Sequence, residues 1–473
     1  MMNLGFDTIG NATVICYDRG PILATDPWVQ GSAYFGSWTH SHVIPEEQMT
    51  AILASQFIWF SHGHPDHLNP ESVSLFRDHQ ILLPDHYGAR IATDLRSNGY
   101  KVSILPDKQW VPLSPRIKVL CIADYNQDAI LLININGRLV VNLNDASDHG
   151  WSNYVKGIIK GYPKSFLLAL CNYGSADMIN MFNEQGERIP RKGVKDVPLG
   201  VAMALATKTF GTSYALPFSS FHKYQRTDSI WVNEYTSSPS DYAIGFQSDT
   251  SELLPAFIRY RCDDDNYSEL NPVETVLQQF APEYFGDNWT DQLEQNDVSE
   301  VNDYFHSISH LERYLDFIRI RSGGKDHIIE FTKRRFNRGI TFEAPRHSLM
   351  AAVQYKVFDD LLIGNFMKTT LHGKWPKTSL YPHFSPYVAK YADNGGVKSK
   401  KELDEYFSEY RRRTGMMNHF RHLVINQSEH IFRSYVPRES PLFDATRKMY
   451  WYLKGASGST ALSRQEYQMH RRK

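Results

Sequence analysis

The chain has 473 residues, of which 42% are hydrophobic, 13% aromatic and 22% charged; this is too long for one compact core and too apolar for a disordered or collagen-like chain. Its 51 Lys and Arg balance 52 Asp and Glu to a formal charge of -1, so the basic excess of a nucleic-acid binder is missing. No apolar run approaches the ~20 residues of a membrane span. The N-terminal seven residues lack the basic-then-apolar order of a signal peptide, and Cys16, Cys121, Cys171 and Cys262 are scattered. A soluble, cytoplasmic protein is expected.

Residues 12–17 and 22–25 are short apolar runs, the second ending at Asp26-Pro27-Trp28. Residues 56–61 form another, which stops at a loop dense in His and Asp. Two aliphatic runs, 129–135 and 139–143, are joined by Asn136-Gly137-Arg138, a hairpin signal because Asn-Gly tolerates positive φ. The second run stops at Asp145, and a later one, 214–221, stops at His222. Polar residues collected at strand ends are how a sheet builds a site along one edge. After about residue 245 the character changes. Residues 253–314 carry acid-rich helical spacing, 340–375 reads as a small independent α+β unit, and 399–413 alternates charged and aromatic residues at helical spacing. The basic clusters at 333–335 and 411–413 read as solvated helix faces.

His62-Gly63-His64-Pro65-Asp66-His67 carries the chemistry. Two imidazoles two residues apart on a tight loop can face one cation, and Asp66 with His67 aims a carboxylate and a third imidazole at an adjacent position. Four ligand-type side chains in six residues suit one or two first-row metals.

His-x-His-x-Asp-His after a strand resembles the signature of the metallo-β-lactamase fold, a four-layer αββα sandwich with its metal site along the sheet edge. Within that fold the chain is similar to the catalytic region of CMP-N-acetylneuraminate hydroxylase and its bacterial relatives. The stretches that carry this are Asp26-Pro27-Trp28 with Gly36-Ser37-Trp38, Asp128 through the hairpin to Asn144-Asp145, and Leu216-Pro217-Phe218 with Asn233-Glu234. The resemblance covers residues 1–245 and implies a catalytic domain there, followed by an α-rich accessory region over 246–473. It implies that Asp26 supports the metal loop from behind and that Asp145 bridges two metals. Asp66 and Asp145 count as catalytic as well as ligating.

Two positions depart from the pattern. Where most hydrolases of the fold carry a histidine before a strand, this chain reads Ala123-Asp124-Tyr125-Asn126-Gln127-Asp128. Asp124 is the natural substitute, and otherwise a turn residue. A carboxylate there also occurs in the diiron β-hydroxylase of chloramphenicol biosynthesis, and oxygen in place of nitrogen shifts preference from zinc toward iron or manganese. His222 lies one or two residues beyond the last expected histidine and reads as a ligand, a substrate contact or a loop residue. His149 is a weaker substitute for it. Asn172, Tyr173 and Asp177 line a pocket or cap a helix. There is no phosphate loop or serine elbow in convincing context, and no Rieske-type Cys/His pair.

Two reaction classes follow from the resemblance. In one, His62, His64 and Asp124 hold one iron, Asp66 and His67 the other, Asp145 bridges, and an external electron donor supports O2-dependent hydroxylation of an anionic or sugar-like small molecule. In the other, zinc or manganese on the same ligands makes a hydroxide that attacks a phosphoester, lactone or amide. The carboxylate at 124 and the subfamily resemblance place the hydroxylase first, with two divalent metals and iron ahead of zinc or manganese.

Overall fold

Strands that are apolar on both faces can only be buried on both faces, and the chain opens with three of them. β1 (Leu4–Ile9), β2 (Thr13–Asp18) and β3 (Pro21–Thr25) form an antiparallel meander, buried almost throughout. A long loop carries β4 (Trp38–His40), and helix α1 (Glu46–Leu53) leads into β5 (Phe57–Trp59). The histidine loop then runs into the one-turn helix α2 (Pro70–Val73), followed by β6 (Gln80–Pro84), α3 (Arg90–Ser97) and β7 (Lys101–Leu105). A second meander, β8 (Trp110–Pro112), β9 (Ile117–Ala123), β10 (Ala129–Ile135) and β11 (Arg138–Asn144), includes the hairpin expected at Asn136-Gly137. Next come α4 (Ser152–Ile159), β12 (Lys164–Ala169), β13 (Met181–Phe182), α5 (Leu199–Phe210), β14 (Tyr214–Pro217) and β15 (His222–Tyr224). β16 (Glu252–Leu253), β17 (Ile258–Arg261) and β18 (Asn266–Glu269) complete the strands of this half. The computed structural model describes residues 2–420 except 147, 171–177, 190–197, 332–335, 376–379, 381–382 and 393–394. Asn172, Tyr173, Asp177 and the 333–335 cluster therefore lie outside the described residues.

Two sheets face each other. One runs β18-β17-β1-β2-β3-β5-β6-β7 and the other β16-β14-β12-β11-β10-β9-β8. Phe6, Val14 and Trp59 from the first meet Leu131, Val140 and Phe166 from the second in one dry cluster. Residues of the other parity, such as Ile15 and Ile58 or Leu132 and Val141, turn outward and are covered by Ile52 of α1, Ile91 of α3, Val155 of α4 and Met203 of α5. This is the αββα sandwich of the metallo-β-lactamase fold.

The sandwich does not stop at residue 245. β17 pairs antiparallel with β1 and β18 with β17, so the first sheet extends to residue 269. Helical spacing was expected over 253–314, but β17 is buried at alternate positions, a period of two. Only α6 (Gln295–Ser307) is an α-helix in that stretch.

The remainder adds β19 (Phe317–Ser322), β20 (Lys325–Glu330), β21 (Arg338–Glu343), α7 (Arg346–Tyr355), α8 (Phe358–Gly364), β22 (Lys368–Gly373), α9 (Ser385–Tyr391) and α10 (Lys400–Thr414). It is α+β, one of the two forms expected of the C-terminal region alongside a mainly α-helical one. The α+β unit expected at 340–375 forms but is not independent, because its sheet has the order β13-β22-β21-β19-β20 and β13 comes from the first half. Fully buried Arg226 also ties the halves, reaching Asp287 Oδ2 at 2.7 Å and the Phe35 carbonyl at 2.8 Å. The 411–413 arginines close α10, and Arg412 and Arg413 pair with Glu409. Among the described residues no helix is long and apolar enough to cross a membrane.

Candidate metal centre

β3 and β5 are parallel neighbours, so the loops after them leave the same edge of the sheet. Asp26 follows β3 with a left-handed backbone (φ 41°), and its fully buried carboxylate accepts from Ser61 N at 2.7 Å and Ser61 Oγ at 3.0 Å. That fixes the start of the histidine loop. Asn69 fixes its end: its Oδ1 caps α2 on Glu71 N and Ser72 N, while Nδ2 donates to the Pro65 and Ser32 carbonyls, both at 3.0 Å.

Hydrogen counting decides which imidazole nitrogens carry lone pairs. Ser61 has one hydroxyl hydrogen, which goes to Asp26, and its oxygen accepts from Asn144 Nδ2 at 2.7 Å. His62 Nδ1, 2.8 Å from that oxygen, must therefore donate, leaving its Nε2 as a lone pair. His64 Nε2 faces Asp359 Oδ2 at 3.5 Å, a geometry in which a proton on Nε2 leaves the lone pair on Nδ1. Those two lone pairs, His62 Nε2 and His64 Nδ1, lie 2.9 Å apart. Such an arrangement is stable only around a proton or a cation. His67 repeats the pattern. Its buried Nε2 makes no well-formed hydrogen bond and lies 3.3 Å from Asp66 Oδ2 and 3.2 Å from Asp145 Oδ2.

Nitrogens and carboxylate oxygens that converge on shared protons fit metal ions in place of those protons. His62, His67 and Asp145 each bring a ligand atom within 4.8 Å of the others. Asp145 Oδ2 is 3.2 Å from His67 Nε2 and 3.9 Å from His62 Nε2, a position between the two imidazoles, while Ser219 Oγ donates to its other oxygen at 2.6 Å. Asp66 is held at both oxygens, by the Tyr34 hydroxyl at 2.6 Å and by Asn11 Nδ2 at 2.9 Å.

Asp124 stands apart from this cluster. Its carboxylate accepts from Asn126 N, inside its own turn, and from Trp151 Nε1 at 3.3 Å. Of the two acids of this turn, Asp128 faces His62, with Oδ1 3.9 Å from His62 Nε2. The two acids sit on opposite sides of the tight β9–β10 turn, joined by Asp124 N to the Asp128 carbonyl at 2.8 Å. His222 opens β15, which pairs with β4; its ring lies flat on Trp38 with centroids 3.3 Å apart and feels the charges of Asp66 and Asp145. His149 is instead beside Asp124 and the Tyr125 ring, away from the His62–His67 cluster.

Electrostatics follow the geometry. Burial and the neighbouring His67 and His64 hold the His62 imidazole well below its usual value. Burial alone would lower His67 too, but the Asp66 and Asp145 carboxylates raise it well above normal. Burial, reinforced by Asp124 and Asp145, pushes Asp128 well up, and burial takes Asp124 up to about 7. Lys390, fully buried on α9, is drawn down by burial to about 8 against the pull of Asp124, Asp128 and Asp359. So many acids in one pocket demand positive charge, and one lysine supplies only part of it.

Asp128, Asn144, Tyr34, Asn11, Asp359 and Lys390 had no site role in the sequence analysis. Asp128 and Asn144 had a signal, as ends of a stretch that carries the resemblance. Backbone strain gathers here too: Tyr34, Phe35, Gln127, Asn144, Ser219 and Ser220 all have positive φ. Gly36 shares that conformation at φ 85°, and a Cβ there would meet the Phe285 ring at 2.3 Å.

No family model matches the chain. Over 136 residues it is 24% identical to the cytidine monophosphate-N-acetylneuraminic acid hydroxylase of Asterias rubens, a stretch that is 27% of this chain and 21% of that protein. The match thus spans about a fifth of that relative's length. Among solved structures, CmlA, a diiron beta-hydroxylase from Streptomyces venezuelae, aligns at 11% identity and TM-score 0.35 over 55% of this chain and 54% of that one. Igni18, a metallo hydrolase from Ignicoccus hospitalis, aligns at 13% identity and TM-score 0.35 over 59% of this chain and 99% of that one.

Proposed function

We propose that the chain is a metal-dependent enzyme with a dinuclear, iron-favouring site, and that it hydroxylates a small anionic or sugar-like molecule using O2 and an external electron donor. The observation that carries the metal site is the 2.9 Å approach of His62 Nε2 to His64 Nδ1, two nitrogens whose other ring positions are committed elsewhere. His62, His64 and Asp128 would hold one metal, Asp66, His67 and His222 the other, and Asp145 both. Asp128 takes the role that the sequence suggested for Asp124. The similarity to a hydroxylase and three carboxylates in the donor set support iron and oxygen chemistry.

Bound metals would supply O2 activation; the chain supplies position and exclusion of water. Tyr34 and Asn11 hold Asp66 from both sides, and Asn144 and Ser61 lock Asp26 behind the loop. The Asp145 side chain is 26% exposed while His62 and His67 are buried, so substrate would approach past Asp145. The test compares two preparations. Reduced, iron-loaded protein should consume O2 only when a ferredoxin-type or chemical reductant is present, and it should hydrolyse phosphodiesters and lactones poorly. Fast hydrolysis by the zinc form with no O2 uptake by the iron form would make the enzyme a hydrolase.

A further inference from the structure

We infer that Asp359, on helix α8 of the C-terminal half, is a positioning residue of the metal site: it fixes the tautomer and orientation of His64. This rests on the dinuclear reading above.

His64 has two ring nitrogens, and only one can serve a metal. Nδ1 faces His62 Nε2 at 2.9 Å, on the side where the other donors gather. Nε2 points the opposite way, to Asp359 Oδ2 at 3.5 Å. A carboxylate behind the distal nitrogen of a ligating histidine keeps the proton there, holds the ring plane and makes the proximal nitrogen a better donor. Asp359 is built for that task. Its side chain is only 5% exposed, and its second oxygen, Oδ1, is buried without a hydrogen bond. A buried carboxylate with so few hydrogen bonds is costly unless a positive or strongly polarised group faces it; Lys390 contributes at longer range, and His64 is the group in direct contact.

The helix that carries Asp359 is anchored on both sides. Phe358 packs into the C-terminal core beside Phe305, Phe342 and Phe384. Ile363 packs against Trp28, Tyr34, Trp38 and Tyr224 around the site. The Tyr224 hydroxyl also donates to the Ile363 carbonyl at 3.2 Å and accepts from Asn365 Nδ2 at 2.9 Å. α8 therefore cannot drift relative to the histidine loop. The C-terminal half thus completes the ligand sphere of a site whose ligands all come from the first half.

The test is a double-mutant cycle read by metal binding. Full-length apo protein is titrated with Co(II), and the affinity and visible ligand-field bands of each site are recorded. Asp359→Asn should weaken one of the two sites by about 10–100-fold and alter its bands, leaving the other unchanged. In a His64→Ala background the same substitution should change affinity by less than about twofold, because its target is gone. Equal losses in both backgrounds would make Asp359 merely structural, and unchanged affinity in Asp359→Asn would remove its role while the dinuclear reading stood. If the parent bound no Co(II), that reading would itself fail and the inference with it. A measurement on the unmutated chain guards against a variant that does not fold. In histidine-15N-labelled, zinc-loaded protein, His64 should show a protonated Nε2 and a metal-bound Nδ1. A proton on Nδ1 overturns the inference.

Discussion

Asp124 and Asp128 differ only in where the β9–β10 turn aims them, and this is where sequence and structure part most instructively. The His62–His67 loop was legible because its chemistry is local: four donors in six residues, after a strand. The choice between two acids four residues apart was not, since it hangs on Gln127 at φ 79° and on Asn126 N and Trp151 capturing Asp124. Asp128→Ala should lower the bound metal of full-length protein from two per chain toward one. Asp124→Ala should leave the count unchanged but destabilise the turn by about 1–2 kcal/mol, the cost of losing a charge-assisted hydrogen bond. Elemental analysis and thermal melting separate the two effects. The reverse pattern would return the ligand role to Asp124.

At the level of elements, the family resemblance ends at residue 245, where an acid-rich stretch begins that includes Asp263-Asp264-Asp265. The structure uses that acidity as a clamp. Asp265, in the β17–β18 turn, pairs with Arg138 and Lys164 of the opposite sheet, both at 2.9 Å, and accepts from the Tyr260 hydroxyl at 2.9 Å. The Arg138 hydrogen bond, with those from Lys164 and Tyr260, holds its carboxyl well below the usual range against the opposing effect of burial. A depressed folded-state value means stabilisation that is complete above the unfolded carboxylate value of about 4 and fades as pH falls below it. Asp265→Asn should therefore cost about 1 kcal/mol at pH 7, a modest figure for a partly exposed pair. The gap from the parent should narrow steadily below about pH 4. Urea denaturation across pH 3–7 checks this, and a gap that widened on acidification would contradict the assignment. The strands themselves were readable, since apolar runs on both parities have only one environment available. β17, with its charged alternate positions, was not.

For the whole molecule, the two halves share strands and side-chain contacts. β13 of the first half lies in the C-terminal sheet, β17 closes the edge of β1, and Tyr410 of α10 donates to or accepts from His86 Nδ1 at 2.8 Å behind the metal loop. Contacts 140 to 320 residues apart leave no local trace, which is why Asp359 and Lys390 escaped a reading based on motifs. A fragment ending at residue 245 strips β1 of one of its two partners, β17, and the histidine loop of α8. It should lack the near-ultraviolet signal of packed aromatics and retain no metal, whereas full-length protein keeps both; a folded, metal-binding fragment would restore the two-domain picture.

The central claim is that protons in the metal-free site stand where two metal ions belong. Anaerobic titration of full-length apo protein with ferrous iron, followed by elemental analysis after gel filtration, tests it most directly. The account predicts two retained irons per chain, with uptake that releases protons, as the neighbouring imidazoles and carboxylates exchange them for metal. Retention of no iron, or of two irons undiminished when His62 and His67 are both replaced by alanine, would contradict it.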